Sequence, residues 1–417
     1  MIRKRIALLL IAGAVLLLLL AIALRFVLQP DRVAGFTLSA IGNALGLEIN
    51  AAGTNEYQLL GGPQLVVRNV TVREPGATTP LLRAQRVLVS VPWSTVRSRG
   101  EKLDITRLEL DAPILDVQAL QHWLSTRPSG ETSLPTFSNG VQVDNGRVEG
   151  GDWRIEAFSL ALPRLQPDRR IDARAGGRFG TETLSLQFNL AVAMTRPASG
   201  AGVAVVGPIT AQAKNWRLPA RLRASGPLYF DDGVRIVPLR ASLVARYESG
   251  DTRLPFAFAL NSPLRYRDDV AALAPAGLAL RGEGVVPNLD ASGVAAYGKR
   301  MLLRFDGRLA AWPRAWPALP APLNASQSPL GFSTRYLGAA DLSDPAELHL
   351  QRDATRFDGR FRIPEITQWV AAATGTAAPL PPLSGHLTTP ELVISGARLE
   401  GIEIELDDAE PKDAKAP

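Results

Sequence analysis

The sequence predicts a mostly β protein in which an N-terminal transmembrane helix precedes an elongated, curled antiparallel β-sheet with a few short helices. Three observations predict this. An uncharged apolar segment lies near the N-terminus, apolar and polar residues alternate repeatedly between residues 51 and 406, and helical patterns beyond residue 50 are rare. Strict alternation gives a strand one apolar and one polar face. β-Sandwich units are the alternative architecture that the same alternation allows.

The N-terminal segment combines a basic start with a long apolar run. Residues 6–24 carry no charge, and these 19 residues come close to the roughly 20 that a helix needs to span a bilayer. The competing prediction is a cleaved signal peptide with "AIA" at 21–23 as the cleavage site, but the run exceeds the usual apolar core of about 7–15 residues. We therefore expect an uncleaved, single-pass anchor within residues 1–30. The residues that define its topology are Arg3, Lys4 and Arg5, and those that mark its apolar span are Ile6, Leu16, Leu20 and Leu24.

The basic residues before the anchor also predict its orientation. Cations concentrate on the cytoplasmic side of membrane spans, so the N-terminus is expected in the cytoplasm. The bulk of the chain then lies outside the cytoplasm, which in a Gram-negative bacterium is the periplasm.

Residues 31–50 predict a short amphipathic helix after the anchor. Val33, Phe36, Ile41 and Leu45 recur at helical spacing in "DRVAGFTLSAIGNALGLEI". This helix either packs on the end of the next domain or lies on the membrane surface. Its polar face is not rich in Lys or Arg, which favours packing.

Beyond residue 50 the period changes to two. The clearest alternating stretches are "RVLVSVPWSTV" (86–96), "TRLELDAPI" (106–114), "TLSLQFNLAVAM" (183–194), "RLPFAFAL" (253–260) and "EGIEIEL" (400–406). Turn signals separate such stretches, namely "REPG" at 73, "VDNG" at 143, "FDDG" at 230 and "RFDG" at 304 and 356. Antiparallel strands with one buried face follow from this pattern.

Helices are too few to cover the apolar faces of these strands. The two predicted helices are "VQALQHWLST" (117–126) and "PEITQWVAAA" (364–373), with Pro364 at the first helical position. They cannot cover on the order of twenty strands of ordinary length. The sheet must therefore pack on itself, or curl into a trough whose apolar wall meets a ligand. The pattern alone leaves both arrangements open.

Composition divides the chain into seven segments. They are the basic stub and transmembrane anchor (1–30), the amphipathic helix (31–50), an N-terminal β unit (51–126), a central β-repeat region (127–309), a Pro- and Ala-rich linker or long irregular crossover (310–329), a C-terminal β unit (330–406) and a tail (407–417). The tail has no apolar periodicity and is expected to be disordered.

Motifs for chemistry are missing from the sequence. The chain has no cysteine, so disulfides and thiolate metal sites are excluded. Its three histidines, His122, His349 and His386, are isolated and do not have metal-ligand spacing. The sequence has no G-x-S-x-G elbow and no P-loop. The net charge is +6, but the arginines are scattered among carboxylates and do not form a phosphate-binding track. We therefore expect a protein that is not an enzyme, with no cofactor, metal or nucleic acid.

A family resemblance is carried by the region that follows the predicted amphipathic helix. The motifs are "GGPQLVVRNVTVRE" (61–74), "PLLRAQRVLVSVPW" (80–93) and "LDITRLELDAPILDV" (103–117), with "PPLSGHLTTPELVISGARLEGIEIELDD" (381–408) near the C-terminus. This order resembles the AsmA-like family of Gram-negative envelope proteins. The positions that match the family pattern are Gly62, Leu65, Val67, Asn69, Val70 and Val72, then Pro80, Leu81, Leu82, Ala84, Val87, Val89, Val91 and Trp93, then Ile105, Leu108, Leu110, Pro113 and Leu115. The resemblance covers residues 31–125 and 380–408.

The resemblance implies an inner-membrane anchor and a repeating periplasmic β-groove that is apolar inside. The expected function is to bind or conduct phospholipid in this groove and so to contribute to outer-membrane lipid homeostasis. The alternative is a non-enzymatic accessory in outer-membrane protein assembly or secretion that binds envelope protein partners. The residues expected to line the groove are Val87, Val89, Val91, Trp93, Leu108, Leu110, Leu184, Leu186, Phe188, Leu190, Phe256, Phe258, Ile402 and Ile404.

Overall fold

In a computed structural model of the chain, most described residues belong to β-strands, which confirms the predicted mostly β class. The structure describes residues 42, 46–53, 56–58, 62–93, 104–126, 136–230, 233–268, 270–313, 315–316, 323, 326–339, 342–366, 382–394 and 397–406. The predicted anchor and the predicted tail lie outside these residues. Within the residues given above, no helix is both long enough and apolar enough to cross a membrane.

Contacts divide the chain into two units, Met1–Pro197 and Ala198–Pro417. The elements of the first unit are β1 (Glu48–Ala51), β2 (Glu56–Gln58), β3 (Gln64–Arg73), β4 (Leu82–Ser90), β5 (Asp104–Ile105), β6 (Arg107–Asp111), β7 (Ile114–Asp116), α1 (Val117–Ser125), β8 (Thr136–Phe137), β9 (Val141–Gly150), β10 (Trp153–Leu162), β11 (Ile171–Gly180) and β12 (Ser185–Met194). Strands β1 and β2 both pair with β3, which pairs with β4, and β4 pairs with β6 and β7. Strand β9 runs parallel to β6 and β7 and begins an antiparallel series that ends at β12.

The second unit is a simple antiparallel series in which each strand pairs with the next along the chain. Its strands are β13 (Ala201–Ala213), β14 (Trp216–Tyr229), β15 (Val234–Ser249), β16 (Thr252–Arg267), β17 (Val270–Gly282), β18 (Leu289–Tyr297), β19 (Met301–Leu309), β20 (Leu330–Gly338), β21 (Pro345–Arg352), β22 (Thr355–Arg362), β23 (Leu383–Ile394) and β24 (Ala397–Leu406).

Helix α1 confirms the helix predicted at 117–126. The Asp116 carboxylate accepts a hydrogen bond of 2.8 Å from the Ala119 amide and so caps the first turn. The apolar side of α1 packs Ala119, Leu120 and Trp123 on the core of the first unit. Residues 363–366 are also helical, which agrees with the start of the second predicted helix, and the rest of that helix lies outside the described residues.

The predicted amphipathic helix at 31–50 ends earlier than expected. Residue 42 is helical, and Gly46 adopts a φ of 62°, the left-handed conformation that commonly ends helices. The Leu47 amide then donates a 2.8 Å hydrogen bond to the Gly42 carbonyl, and the chain continues as β1. The last predicted helical residues are therefore strand, because Ile49 pairs with Val72 of β3. Most of this predicted helix lies outside the described residues.

Three of the five predicted turns are wrong. "REPG" and "FDDG" do lie between strands, but "VDNG" lies within β9 and the two "RFDG" sequences lie within β19 and β22. In β19, a Cβ on Gly307 would collide with the ring of Phe332 in the next strand. Gly307 therefore makes room for a neighbouring side chain and does not form a turn. In β9, Asn145 has a positive φ of 51° and forms a bulge.

Bulges in the first unit also change which residues share a face. The residues with positive φ there are Asn69, Ala112, Asn145 and Ala157. Alternation within "TRLELDAPI" predicts that Ile114 shares a face with Leu110, but the turn at Ala112 shifts the phase by one residue. Leu115 consequently pairs with Leu82, whereas Ile114 pairs with Arg83.

A line of register shifts also crosses strands β14–β17 of the second unit, and we call it the crease. The register shifts fall between Ser225 and Leu228 in β14, Ile236 and Leu239 in β15, Asn261 and Leu264 in β16, and Leu273 and Ala276 in β17. Each interval contains a proline, namely Pro227, Pro238, Pro263 and Pro275. A proline has no N–H for the ladder and is tolerated at bulges, which bend and twist the strands.

Candidate functional site

In the second unit, one apolar row crosses all twelve strands. Directly paired residues form it in the order Val205, Ala224, Ala241, Leu260, Leu278, Ala291, Gly307, Phe332, Leu350, Phe357, Leu387 and Ile404. A slip of one residue in any pair would move an apolar strand face to the other side of the sheet. The alternation of all twelve strands is therefore in phase, and we call the side that carries this row the apolar face.

A second apolar row runs on the other side of the crease. Its members, paired in order, are Ala201, Leu228, Ile236, Leu264, Leu273, Ala295, Leu303, Tyr336, Ala346, Phe361 and Leu383. Between the rows, on the same face, lie Ser262 and Ala276, each only 1% exposed. The apolar face thus has a line of small, buried residues flanked by two rows that contain larger apolar side chains.

The part of the apolar face on β13–β17, which we call the open section, is apolar but not packed as a core. Its large side chains, such as Leu222, Leu243 and Phe258, are half-buried. The fully buried residues described in these strands are all small: Ala201, Gly207, Ala245, Ser262 and Ala276. No described helix packs on the open section, and its strands pack on their sheet neighbours. Apolar surface at these positions is therefore available to a ligand.

The remaining strands, β18–β24, carry the same face in a covered form, and we call them the covered section. Its buried cluster comprises Leu309, Leu323, Leu330, Leu350, Phe357 and Leu387. Leu323 comes from the segment 310–329, for which the sequence predicts a linker or a long irregular crossover, and Trp312 of that segment packs on the same cluster. Where it is described, this segment therefore covers the apolar face.

Polar contacts hold the segment 310–329 in place. Arg352 is buried, and its Nη1 donates hydrogen bonds of 2.8 Å to the Leu323 carbonyl and 3.0 Å to the Ser326 carbonyl. Asp353 accepts a 2.8 Å hydrogen bond from the Ser328 hydroxyl. Hydrogen bonds from Ser326 and Ser328 lower the pKa of the Asp353 carboxyl, since they stabilise its charged form. At the other end of the segment, Trp316 Nε1 donates to the Val285 carbonyl at 2.7 Å.

The first unit contains the same change from packed to half-buried along one row. Directly paired residues form this row in the order Val67, Val87, Leu110, Val143, Leu160, Ala175 and Leu190. Val67, Val87 and Val143 are buried, whereas Leu160 and Leu190 are half-buried. Helix α1 packs on the cluster that contains Val67 and Val87. As in the second unit, the row is fully buried where another element packs on its cluster, and it is half-buried farther along.

The predicted groove residues fall into three environments. Packed in or against the core of the first unit are Val87, Val89, Leu108 and Leu110. Half-buried on β12 or just before it are Leu184, Leu186, Phe188 and Leu190, and half-buried on β16 are Phe256 and Phe258. The others lie outside both sets: Val91 is half-buried and Trp93 is 43% exposed beyond β4, Ile402 is half-buried on β24, and Ile404 of β24 packs against the buried cluster of the covered section. The structure therefore places the predicted residues of β12 and β16, but not those of β4 and β6, on apolar surface that no described helix covers.

Sequence reasoning missed several residues of the open section. The main ones are Leu222, Ile236, Leu243, Leu264, Leu273 and Leu280. In β15 and β17 a simple period of two fails, because an extra residue beside Pro238 and Pro275 shifts the phase of the alternation. The proline was the available signal in these two strands. In β14 and β16 the period of two continues past the proline, and small residues such as Ala224 and Ser262 obscure it.

The opposite face of the second unit carries the charges. Arg281 pairs with Asp290 at 2.6 Å, and His349 Nδ1 lies 2.6 Å from the Asp358 carboxylate. A shallow cavity of about 690 Å³ on β19–β24 is lined by Arg335 and by these polar residues of β21 and β22. Its lining does not suit an apolar ligand. In the part of the chain that the structure describes, no three His, Asp or Glu side chains are grouped to hold a metal ion.

The apolar face, half-buried in the open section and covered at β18–β24, is thus the principal chemical feature of the second unit. No family model, curated protein or solved structure matches this chain.

Proposed function

We propose that the open section binds the acyl chains of phospholipids, and that the protein is anchored in the bacterial inner membrane with its bulk in the periplasm. There it would bind or conduct phospholipid and contribute to outer-membrane lipid homeostasis. The observation that carries the proposal is the half-buried apolar face of β13–β17, on which no described helix packs. A large unpacked apolar surface marks a site for a protein, a membrane or a ligand.

The crease supports a curled sheet that forms a groove. Bulges bend and twist strands, so the extra residues of β15 and β17 are expected to bend the sheet locally across β14–β17. The small residues Ser262 and Ala276 are buried between two apolar rows, as expected for the floor of a groove.

Strand length supports an acyl ligand. On one side of the crease β16 extends for ten residues, Thr252–Asn261. Ten residues span roughly 33 Å, whereas the hydrocarbon of one leaflet is about 15 Å thick. An acyl chain therefore fits along the strand direction at more than one position.

The energetics favour sliding over fixed binding. Each CH₂ group removed from water contributes about 0.8 kcal/mol, without any requirement for a particular position. The apolar row offers such surface strand after strand, from Val205 through Leu260 to Leu278. A lipid that moves along the row exchanges one apolar contact for an equivalent one, so movement has no large barrier. The sequence contains no P-loop, so any energy input comes from outside this chain.

One observation supports a second function. Leu323 and Trp312 occupy the apolar face of the covered section, so a protein segment fits there as well. A segment of an envelope protein could occupy the open section in the same way. The chain would then be a non-enzymatic accessory in outer-membrane protein assembly or secretion.

The test compares two adjacent residues of β16. Phe258 lies on the apolar face, and its neighbour Ala259 lies on the opposite face, where it is exposed. The full chain, purified from membranes as wild type, Phe258→Asp and Ala259→Asp, is analysed by mass spectrometry for phospholipid per protein. Lipid retained by the predicted anchor is common to all three.

We expect lipid to fall in Phe258→Asp and to remain at the wild-type level in Ala259→Asp. Circular dichroism must show that both variants keep their β-sheet signal, because a buried unpaired charge in a real core would unfold the strand. Equal lipid content in the two variants would reject acyl-chain binding at this face. Crosslinking of a protein segment to position 258 would support the second function.

A further inference from the structure

Nine large apolar side chains are exposed among the described residues of the second unit. Val206 and Val244 lie within β13 and β15, and Leu399 lies in β24. The other six lie at one end of the strands, namely Phe230, Val234, Tyr266, Val270, Tyr297 and Leu337. They belong to the hairpins that join β14 to β15, β16 to β17, β18 to β19 and β20 to β21, which we call the hairpin edge. The opposite ends of β13–β20 carry no exposed large apolar side chain among their described residues. The two ends of the same strands therefore differ in chemistry.

The exposed side chains form a shallow layer. Each lies within two residues of the end of its strand, as Tyr266 does in β16 and Leu337 in β20. Two residues correspond to about 7 Å along a strand. Elements that lie in a membrane interface bury their apolar groups by about 5–10 Å. The depth of the apolar layer therefore matches that of an interfacial contact.

Both sides of the sheet are apolar at this edge. Tyr266 pairs with Val234 and Ala271, and Ala271 pairs with Tyr297, so these residues share one face. Val270 and Leu337 project from the other face and are also exposed. A protein partner docked on one side would leave the other side in water. A medium that surrounds the edge, such as the interface of a bilayer, accounts for apolar residues on both sides.

The residue types and charges point to a zwitterionic surface. Tyrosine rings are enriched where membranes meet water, because one end of the ring is apolar and the other is polar. The four hairpins, residues 229–235, 265–271, 296–302 and 336–345, carry five Lys or Arg and six Asp or Glu in the sequence. An edge for an anionic surface would carry an excess of cations. This nearly neutral edge suits headgroups with balanced charge.

From this combination we infer that the hairpin edge of the second unit inserts into the headgroup layer of a zwitterionic phospholipid bilayer. The inference rests on the edge residues and does not require lipid on the apolar face. Where the proposed function also holds, the edge brings the apolar face to the surface from which lipid is taken or to which it is delivered.

The experiment uses the absence of cysteine from the whole sequence. Single cysteines are introduced in the full chain as Tyr297→Cys, Phe230→Cys and, as the control, Asp251→Cys. Asp251 is exposed and lies in the hairpin between β15 and β16, at the opposite strand ends. Each variant is labelled with a polarity-sensitive fluorophore and reconstituted into vesicles of phosphatidylcholine and phosphatidylethanolamine. Quenching by iodide and the emission maximum are then measured.

We expect iodide quenching to be severalfold weaker at positions 297 and 230 than at 251, with emission shifted to shorter wavelength. Adding phosphatidylglycerol to the vesicles should leave this ratio unchanged. Equal quenching at the three positions in vesicles would overturn the inference.

A second arm separates this inference from the proposed function. Phe258→Asp is combined with Tyr297→Cys, because Phe258 lies away from the hairpin edge. One outcome is that Phe258→Asp leaves the amount of co-purified lipid unchanged and position 297 stays protected from iodide. This outcome would support edge insertion and reject acyl-chain binding at the apolar face. The opposite outcome is that Phe258→Asp loses its co-purified lipid and iodide reaches position 297 freely in vesicles. This outcome would support the proposed function and overturn the inference.

Discussion

The open and covered sections of the second unit share one topology and one apolar row but differ in burial. In the covered section Leu330 is fully buried and Phe357 is 7% exposed, whereas Phe258 and Leu243 of the open section are half-buried. Strand pairing is antiparallel and sequential in both. The difference comes from the segment 310–329, which contributes Leu323 and Trp312 to one section only. Alternation therefore determines where an apolar face lies, and a separate covering segment determines whether it becomes a core.

The first unit repeats this lesson with a different covering element. Helix α1 packs on β3 and β4, where Val67 and Val87 are buried, and the same row is half-buried once it reaches β10 and β12. A helix in one unit and an irregular segment in the other thus have the same effect. Apolar residues beyond the reach of either element, such as Leu190 and Phe258, stay half-buried.

The largest expected effect tests whether the covered section is a true core. Leu330→Ala and Leu243→Ala remove the same atoms from the same face. We expect Leu330→Ala to lower the free energy of unfolding by about 3 kcal/mol or more, because it leaves a cavity in a packed cluster. Leu243→Ala should lower it by roughly 1 kcal/mol, since its side chain is already partly exposed. Urea unfolding, followed for the transition of the second unit, measures both. Equal losses would mean that the two sections are packed alike.

A smaller effect is expected from releasing the covering segment. Arg352→Ala removes the donor to the Leu323 and Ser326 carbonyls. Buried carbonyls that lose a charged donor cost about 1–3 kcal/mol. We therefore expect lower stability of the covered section, faster hydrogen exchange at the amides of residues 326–328 and greater exposure of Trp312 to iodide. Arg356→Ala is the matched control, because Arg356 is exposed on the neighbouring strand and should change stability by less than about 0.5 kcal/mol. Unchanged hydrogen exchange in Arg352→Ala would show that the apolar contacts, with the hydrogen bonds of Asp353 and Trp316, hold the segment without Arg352.

Local alternation was sufficient to predict the strands but not their covering. The faces of β12, β16 and β24 follow from a period of two, and the registers agree, with Phe258 opposite Leu243 and Ile404 opposite Leu387. This succeeds because the side-chain direction of a regular strand depends only on its own sequence. The predicted role of these faces in lipid binding stays a prediction.

The misses share a physical cause, which is dependence on residues distant in sequence. Gly307 has the local sequence of a turn, but its role is set by Phe332 of the next strand. Bulges such as that at Ala112 shift the alternation by one residue and exchange Ile114 for Leu115. The Pro- and Ala-rich composition of 310–329 is shared by linkers and by packed irregular segments. Only the buried cluster with Leu323 distinguishes the two.

The smallest expected effect concerns the pH dependence of the covering segment. Hydrogen bonds from Ser326 and Ser328 lower the pKa of Asp353 in the folded state. A carboxyl whose pKa is lower when folded contributes stability that is present above its unfolded pKa, about 4, and is lost as the pH falls through the lower folded value. Hydrogen exchange at the amides of residues 326–328, corrected for its intrinsic pH dependence, should therefore increase below pH about 4 in the wild type. In Asp353→Asn the corrected rate should not vary with pH in this range, since no carboxyl titrates at that position.

The open section supplies the internal control, because Ser326 and Ser328 do not contact it. Exchange in β15 should be the same in both proteins at every pH. A wild-type rate that follows the Asp353→Asn rate throughout would mean that this carboxylate does not hold the segment. The difference between the two sections would then rest on apolar packing and on Arg352.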